Sequence, residues 1–399
     1  MKILLKLFRY ITYIFFRPIW WLERFIPRNK NIWVFGACYG QKYSDNSKWL
    51  YEYVLEHEPT IKAIWITKNF AVYKKLRSFR KPVAMSSSFS GIWSCLRAKY
   101  AFLTSGVVDI NAFVLNGCKQ IWLWHGMPLK KIGYCEACNS SKCKQALLKL
   151  LNPYFELKPY STITSSDFFT PFLKNAFKLP DEKIWKTGLP RCDAFFSNQT
   201  ESFISKLHLE FPNSKVLLYM PTFRMNSNMD GIPFSPFVKD YGFYENEFSN
   251  FLETQNLIIL FKPHFVDSEV KVEISSKRFR YITDDDFKDL YILLNSVDGL
   301  LTDYSSVYFD FLATKKPIYL LTFDYEEYTK KSRAHFFNMF EEMHAPICKN
   351  WREFYKHAEN YRNKNDVFVS LENDHAKFAE LLDGKSCEKL VSKNLGIDI

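Results

Sequence analysis

The chain has no apolar run long enough to cross a membrane. Its longest uncharged stretch near the start covers only residues 10–16, whereas a membrane-spanning helix takes about 20 apolar residues. No small-residue cleavage site follows, so a secretory signal peptide is not expected. Basic residues alternate with aromatic and aliphatic ones over residues 1–27. Trp20 and Trp21 in this segment suit the headgroup boundary of a membrane. This composition predicts an amphipathic helix on an anionic membrane surface, or a terminal helix packed on the protein's own core.

Cysteine occurs in an odd number and without the spacing of a complete metal site. Nine cysteines among 399 residues, with no secretory signal, indicate reduced thiols in a cytosolic protein. Cys135, Cys138 and Cys143 begin like a zinc motif, but no fourth ligand is evident. The aspartates at 284–286 precede a helical pattern, which predicts that they cap it. We therefore predict no disulfide, no metal site and no cofactor.

The sequence also lacks the signature of a nucleoside-triphosphate-binding loop. The segment GACYGQK, residues 36–42, has too few residues between its glycines and no Gly-Lys-Ser/Thr. We interpret it as a glycine turn on the acceptor side of a site. The formal charge of +11 favours phosphorylated substrates, anionic polymers, an anionic lipid surface or nucleic acid as partners. Because no RNA- or DNA-binding motif is present, nucleic acid is not expected.

Beyond Pro27 the chain alternates short apolar runs with helical patterns. This alternation predicts an α/β protein with two Rossmann-like domains that face each other across a cleft. The predicted boundaries are a membrane-associating segment at 1–27, domains at 28–205 and 206–350, and a helical segment at 351–399 that packs back across the interface. The turns after residue 384 are expected to fray.

Polar residues follow three of the predicted strands. They are His125 after residues 121–124, His264 after residues 257–262, and Asp303, Ser305 and Ser306 after residues 299–302. One histidine at a strand end is ordinarily only a polar residue whose hydrogen bonds are made within the fold. Ligands of open α/β sheets bind outside the carboxyl ends of the strands, however, so three such ends predict one shared site. The serines open a predicted helix, a position suited to phosphate.

Several segments together resemble the CDP-glycerol glycerophosphotransferase family, the wall teichoic acid primases and polymerases. The segments are GACYGQKYSDNSKWLYEYV, WHGMPLKKIG, GLPRCD, MPTFR, KPH and LLTDYSSVYFDFLATKKPI, and the likeness covers roughly residues 31–328. The resemblance implies a GT-B type enzyme that moves glycerol phosphate from CDP-glycerol to an acceptor hydroxyl and releases CMP. It also implies that His125 and His264 are the catalytic histidines.

The chemistry of the reaction gives these histidines different roles. An attacking alcohol needs a base, and His125 is our candidate. The departing nucleotide needs positive charge, which we assign to His264 and Lys262, with Ser305 and Ser306 as further donor ligands.

The remaining predicted site residues each have a structural alternative. Asp303 orients a catalytic group or bonds the glycerol hydroxyls, unless it only caps the following helix. Arg224 pairs with a phosphate, or is a surface arginine without a role. On the acceptor side, Lys130 and Lys131 beside Gly126 attract an anionic acceptor or simply solvate a loop.

The chain departs from the family pattern near residues 333–347, where expected glycines are missing and His335 and His344 are interpreted as peripheral. CDP-ribitol therefore stays open as an alternative donor. Two other classes of function also stay open. One is a GT-B nucleotide-sugar glycosyltransferase, and the other is a non-catalytic module that binds anionic polymers. The preferred hypothesis is a peripheral enzyme on the cytoplasmic face of the membrane, with a lipid-linked or polymeric acceptor in teichoic-acid-like or capsular polymer synthesis.

Overall fold

A computed structural model of the protein describes residues 18, 22–136, 159–224, 234–263, 273–331, 334–359 and 365–396. Most of the predicted N-terminal amphipathic helix lies outside these residues, and so do His264, Cys138 and Cys143. Over the described ranges, no helix combines the length and the apolar character needed to cross a membrane.

The first half of the chain forms a parallel sheet with the strand order β3-β2-β1-β4-β5-β6-β7. Its strands are β1 (Asn29–Gly36), β2 (Lys62–Thr67), β3 (Val83–Met85), β4 (Ala98–Leu103), β5 (Lys119–Trp122), β6 (Ser161–Ile163) and β7 (Ile184–Trp185). The inner strands are buried on both faces, which is why they read as apolar runs.

The second half forms another parallel sheet, with the order β10-β9-β8-β11-β12-β13. Its strands are β8 (Lys215–Tyr219), β9 (Leu257–Phe261), β10 (Phe279–Tyr281), β11 (Gly299–Thr302), β12 (Ile318–Leu321) and β13 (Ile347–Cys348). The predicted architecture of two parallel-sheet α/β domains is therefore confirmed.

Helices connect and cover the strands of both sheets. In the described part of the chain they are α1 (Asp45–His57), α2 (Phe70–Ser78), α3 (Phe89–Arg97), α4 (Thr170–Phe177), α5 (Ser202–Glu210), α6 (Glu245–Thr254), α7 (Leu290–Ser296), α8 (Val307–Phe311), α9 (Tyr325–Lys331), α10 (Met339–Glu342), α11 (Trp351–Glu359), α12 (Asn365–Phe378) and α13 (Ser386–Leu395). Helix α8 continues as a 3₁₀ turn, Leu312–Thr314.

Two expectations about helix ends are wrong. The aspartates at 284–286 do not cap α7, because Asp289 does so by accepting a hydrogen bond from the Tyr291 amide at 2.8 Å. The turns after residue 384 do not fray but form α13. The Asp193 carboxylate accepts hydrogen bonds from the amides of Ser386 and Cys387, at 3.0 and 2.9 Å, and so anchors the start of this helix.

The C-terminal helices contact both halves of the molecule. Trp351 of α11 is fully buried among aromatic rings beside the second sheet. Further along, the Ser165 hydroxyl of the first half donates to the carbonyl of Phe378 in α12, at 2.7 Å. Helix α13 then packs on α1 of the first half.

Candidate active site

The loop after β5 carries His125 in a fixed orientation. Trp124 has a left-handed backbone with φ of 53°. The Asn46 side chain stabilises this turn by donating to the carbonyls of Leu123 and Trp124, at 3.1 and 2.9 Å. Nδ1 of His125 lies 3.1 Å from the Thr104 carbonyl, and the imidazole stacks on the Trp124 ring. An Nδ1–H that donates to this carbonyl leaves the basic lone pair on Nε2, on an exposed side chain.

This loop meets the serine pair of the second half. Gly126 has φ of +133°, and a Cβ added there would lie 2.4 Å from Oγ of Ser306. Ser305 and Ser306 are both half-buried at the end of β11, and Oγ of Ser305 accepts a hydrogen bond from the Val307 amide at 3.4 Å. The structure therefore brings the residue next to His125 into contact with Ser306, as expected for one shared cleft.

For the reaction that the sequence resemblance implies, Gly126→Ala is expected to lower kcat/KM for CMP release by roughly tenfold, because the added methyl group displaces the His125 loop from Ser306. A matched control is Gly242→Ala. That glycine also has a positive φ, of +70°, but its nearest neighbour to a new Cβ is 3.8 Å away. If both variants kept full activity, close packing at Gly126 would have no part in assembling the site.

Lys130 and Lys131 belong to a backbone connection between the two halves. Residue Lys131 donates its amide to the Ala334 carbonyl, and Phe336 donates to the Leu129 carbonyl, both at 2.8 Å. The Lys130 ammonium also lies 5.1 Å from the centre of the Tyr328 ring. The segment after His125 is thus paired with the second half rather than being only a solvated loop.

His335 forms the antiparallel bridge to Lys130 in this connection. Burial, together with the nearby charge of Lys130, lowers the pKa of His335 to about 4. An unfolded histidine titrates near 6.5, so the unfolded chain binds more protons between about pH 6.5 and 4. Stability is therefore lost as the pH falls through this window.

His335→Gln should flatten the pH dependence of the unfolding free energy between about pH 6.5 and 4, since glutamine does not titrate. Urea unfolding of both proteins at several pH values measures the effect. If the unfolding free energy depended on pH equally in both proteins, His335 would not contribute to the loss of stability in acid.

Arg224 is buried and bonds two carboxylates, so the alternative of a surface arginine is wrong. Its Nη1 donates to Asp303 at 2.7 Å, while Nε and Nη2 donate to Asp324 at 2.7 and 2.8 Å. Asp303 also accepts from the amides of Thr222 and Tyr304. Asp303 therefore does not cap α8, and a phosphate at Arg224 would have to share the guanidinium with two aspartates.

Lys262 follows β9, and its side chain contacts Asp284. Its ammonium lies 2.9 Å from Oδ1 of Asp284, and Lys42 of the first half lies 2.6 Å from Oδ2. Burial alone would raise the pKa of the Asp284 carboxyl, but its hydrogen bonds with Lys262 and Lys42 outweigh this and lower the pKa to about 2. Asp284 is therefore ionised at neutral pH.

The structure adds a buried arginine that the sequence left without a role. Arg191 bonds Asp45 of the first half at 2.7 Å and Asp310 of the second half at 2.5 Å. A Cβ added at Gly126 would lie 3.0 Å from Nη2 of Arg191. Arg191 therefore packs against the loop that carries His125. Arg191 lies in the GLPRCD segment of the resemblance, which was the only signal in the sequence.

The other histidine interpreted as peripheral, His344, pairs with a buried aspartate. Its Nδ1 lies 2.5 Å from Oδ1 of Asp374, and its amide donates to Oδ2 at 2.8 Å. Tyr308 also donates to this carboxylate. These contacts join α12 to α8.

Metal ligands do not cluster in the described part of the chain, where no group of three or more His, Cys, Asp or Glu side chains is arranged to hold an ion. Cys135 is half-buried, and its thiol is not in a disulfide. Burial raises the pKa of this thiol.

Two parallel α/β domains whose strand ends meet around a histidine loop define an enzyme of the GT-B architecture. A family model described as CDP-Glycerol:Poly(glycerophosphate) glycerophosphotransferase matches residues 19–394. The chain belongs to this family.

Individual relatives agree with the family assignment. The chain is 27% identical over 382 residues to a teichoic acid glycerol-phosphate transferase of Staphylococcus aureus, covering 91% of this chain and 92% of the relative. It is 25% identical over 391 residues to a teichoic acid poly(ribitol-phosphate) polymerase of Bacillus spizizenii, covering 93% of this chain but only 57% of the relative. Among solved structures, the wall teichoic acid polymerase TagF aligns with a TM-score of 0.70 at 20% identity, over 98% of this chain and 97% of TagF.

Proposed function

We propose that the protein transfers glycerol phosphate from CDP-glycerol to a hydroxyl of a lipid-linked or polymeric acceptor, with release of CMP, in teichoic-acid-like or capsular polymer synthesis. The observation that carries the proposal is the contact between the His125–Gly126 loop and Ser306, which joins strand ends of two domains in one cleft. Membership of the glycerophosphotransferase family supports the same reaction.

In the proposed mechanism, Nε2 of His125 removes the proton of the acceptor hydroxyl. The alkoxide oxygen attacks the phosphorus that carries glycerol, a new phosphodiester forms, and the bond to the bridging oxygen of CMP breaks. Negative charge grows on that oxygen, so nearby cations and hydroxyl donors lower the barrier. Lys262, His264, Ser305 and Ser306 fill this role, although His264 lies outside the described residues.

We assign the acceptor to the domain at 28–205 and the CDP-alcohol to the domain at 206–350. Gly126, Lys130 and Lys131 lie on the acceptor side. Asp303 and Arg224 hold residues 221–224 in place for the donor, by way of the Thr222 amide. The segment 351–399 links the two domains, since Phe378 bonds Ser165 of the first domain and Trp351 packs in the core of the second.

The residues at 1–27 are proposed to bind the cytoplasmic face of the membrane peripherally, because basic and aromatic residues alternate there. An anionic membrane surface would hold the enzyme close to a lipid-linked acceptor.

CDP-ribitol is the second candidate donor, favoured by the similarity to a poly(ribitol-phosphate) polymerase. The test incubates the purified full chain separately with CDP-glycerol, CDP-ribitol and nucleotide sugars in the presence of lipid-linked acceptors. Chromatography identifies the released nucleotide, and mass spectrometry identifies the product. CMP with a glycerol-phosphate adduct is expected. A ribitol-phosphate adduct would replace the donor assignment. Turnover of nucleotide sugars alone, with release of a nucleoside diphosphate, would overturn the reaction class.

A further inference from the structure

Two lysines from opposite domains bond the same carboxylate at the edge of the cleft. Asp284 lies just beyond the carboxyl end of β10. Its carboxylate forms ion pairs with Lys262 of its own domain and with Lys42 of the other domain. Asp286 fixes the turn by accepting a hydrogen bond from the Thr283 amide at 2.7 Å. The carboxyl ends of parallel strands are where ligands of such sheets bind. The two ammonium groups therefore converge at a ligand-binding edge.

The loop that carries Lys42 has a defined shape. The Tyr39 amide donates to Asp109 at 2.6 Å, and Asp109 is fully buried in the 3₁₀ turn Val107–Asp109 that follows β4. Gly40 has φ of +80°, and a Cβ there would lie 2.8 Å from the Asp109 carbonyl oxygen. These contacts hold the loop after β1 and set the direction in which Lys42 leaves it.

A neighbouring pair shows what a structural ion pair looks like at this interface. Asp289 is buried, caps α7 and also bonds Lys48 of the first domain. Asp284 differs, because its side chain is 48% exposed and, within the described residues, its carboxylate bonds only the two lysines. Both side chains of the Lys42–Asp284 pair are exposed, at 45% and 48%, and exposed ion pairs contribute little to stability.

An anion with more charge than a carboxylate would compete for the same two ammonium groups. The diphosphate of a CDP-alcohol is such an anion, and charge-assisted hydrogen bonds to phosphate are strong. Asp284 stays ionised at neutral pH, so it does not leave by protonation and has to be displaced.

We propose that Lys42 is a donor-phosphate ligand contributed by the first domain, and that Asp284 is an internal anion that occupies Lys42 and Lys262 until the diphosphate displaces it. This inference rests on the proposed function. It makes donor binding a contact with both domains.

Isothermal titration of the full chain with CDP-glycerol tests the proposal. Lys42→Ala should raise the Kd roughly tenfold, as expected for the loss of one charge-assisted hydrogen bond. Asp284→Asn should instead lower the Kd several-fold, because the competing charge is gone. The matched controls are Lys215→Ala and Asp181→Asn, which remove one partner from the exposed pairs Lys215–Asp298 and Lys174–Asp181. Both controls should bind like the original protein.

The failure of this inference is distinguishable from the failure of the proposed function. If the unaltered protein does not bind CDP-glycerol, the proposed donor is wrong. If it binds, but Lys42→Ala has no effect or Asp284→Asn weakens binding, the roles of these two residues are wrong. Weaker binding by Asp284→Asn would show that the carboxylate contacts the ligand itself.

Discussion

His125→Ala is expected to reduce the rate of CMP release by on the order of 10³-fold, within the range usual for removal of a general base. Binding of CDP-glycerol should change little, because the proposed role of the imidazole is to take a proton from the acceptor. A stopped assay of CMP gives the rate, and calorimetry gives the donor affinity. The combined result separates a catalytic role from a role in binding.

A matched control for this variant is His208→Ala, which removes an exposed histidine of α5. It should have the activity of the original protein. If His125→Ala also kept full CMP release, the proposed base would be wrong. A loss of donor affinity as large as the loss of rate would instead assign His125 to donor binding.

Asp303→Ala is expected to lower the free energy of unfolding by about 3–5 kcal/mol, the range for breaking a buried ion pair from one side. The buried carboxylate accepts hydrogen bonds from Arg224, the Thr222 amide and the Tyr304 amide. Removing it leaves the buried guanidinium of Arg224 and the two amides without this acceptor, and each lost partner has a desolvation cost. Urea unfolding of the full chain measures the difference.

Asp181→Ala serves as the control, since its partner Lys174 and the carboxylate itself are both exposed. Its effect should stay within about 0.5 kcal/mol. A similarly small effect for Asp303→Ala would mean that the Arg224 network does not stabilise residues 221–224. Asp303→Asn should be less damaging than alanine, because the amide oxygen still accepts from the backbone.

The parallel sheets and the meeting of strand ends could be predicted from sequence because local patterns encode both. A buried parallel strand must be apolar throughout, as in β9 with its five buried residues. The polar residue after such a run then lies at the ligand-binding edge. His125 and Ser306 could be placed in one cleft for this reason.

The ion pairs between the domains could not be predicted, because nothing local selects the partners. Arg191 bonds Asp45 and Asp310, which are 146 and 119 residues away along the chain. The three aspartates before α7 show the same limit. Local propensity favours them as caps, but Asp284 bonds lysines of both domains, and Asp289 is the cap.

The fraying expected after Gly384 was wrong for a related reason. The last helix is short and polar in sequence, so its local pattern gives little stability. Its stability comes from Asp193, which lies 193 residues before Ser386, and from burial of Cys387 and Leu390. Tertiary contacts of this kind regularly outweigh helix propensity.

We propose that one cleft between the two domains holds the diphosphate beside His125. A crystal structure of the His125→Ala variant soaked with CDP-glycerol tests this proposal. We expect the diphosphate to contact Ser305, Ser306 and Lys262, with the glycerol-bearing phosphorus facing residue 125. A nucleotide bound on another surface, touching neither the 125–126 loop nor the two serines, would contradict it.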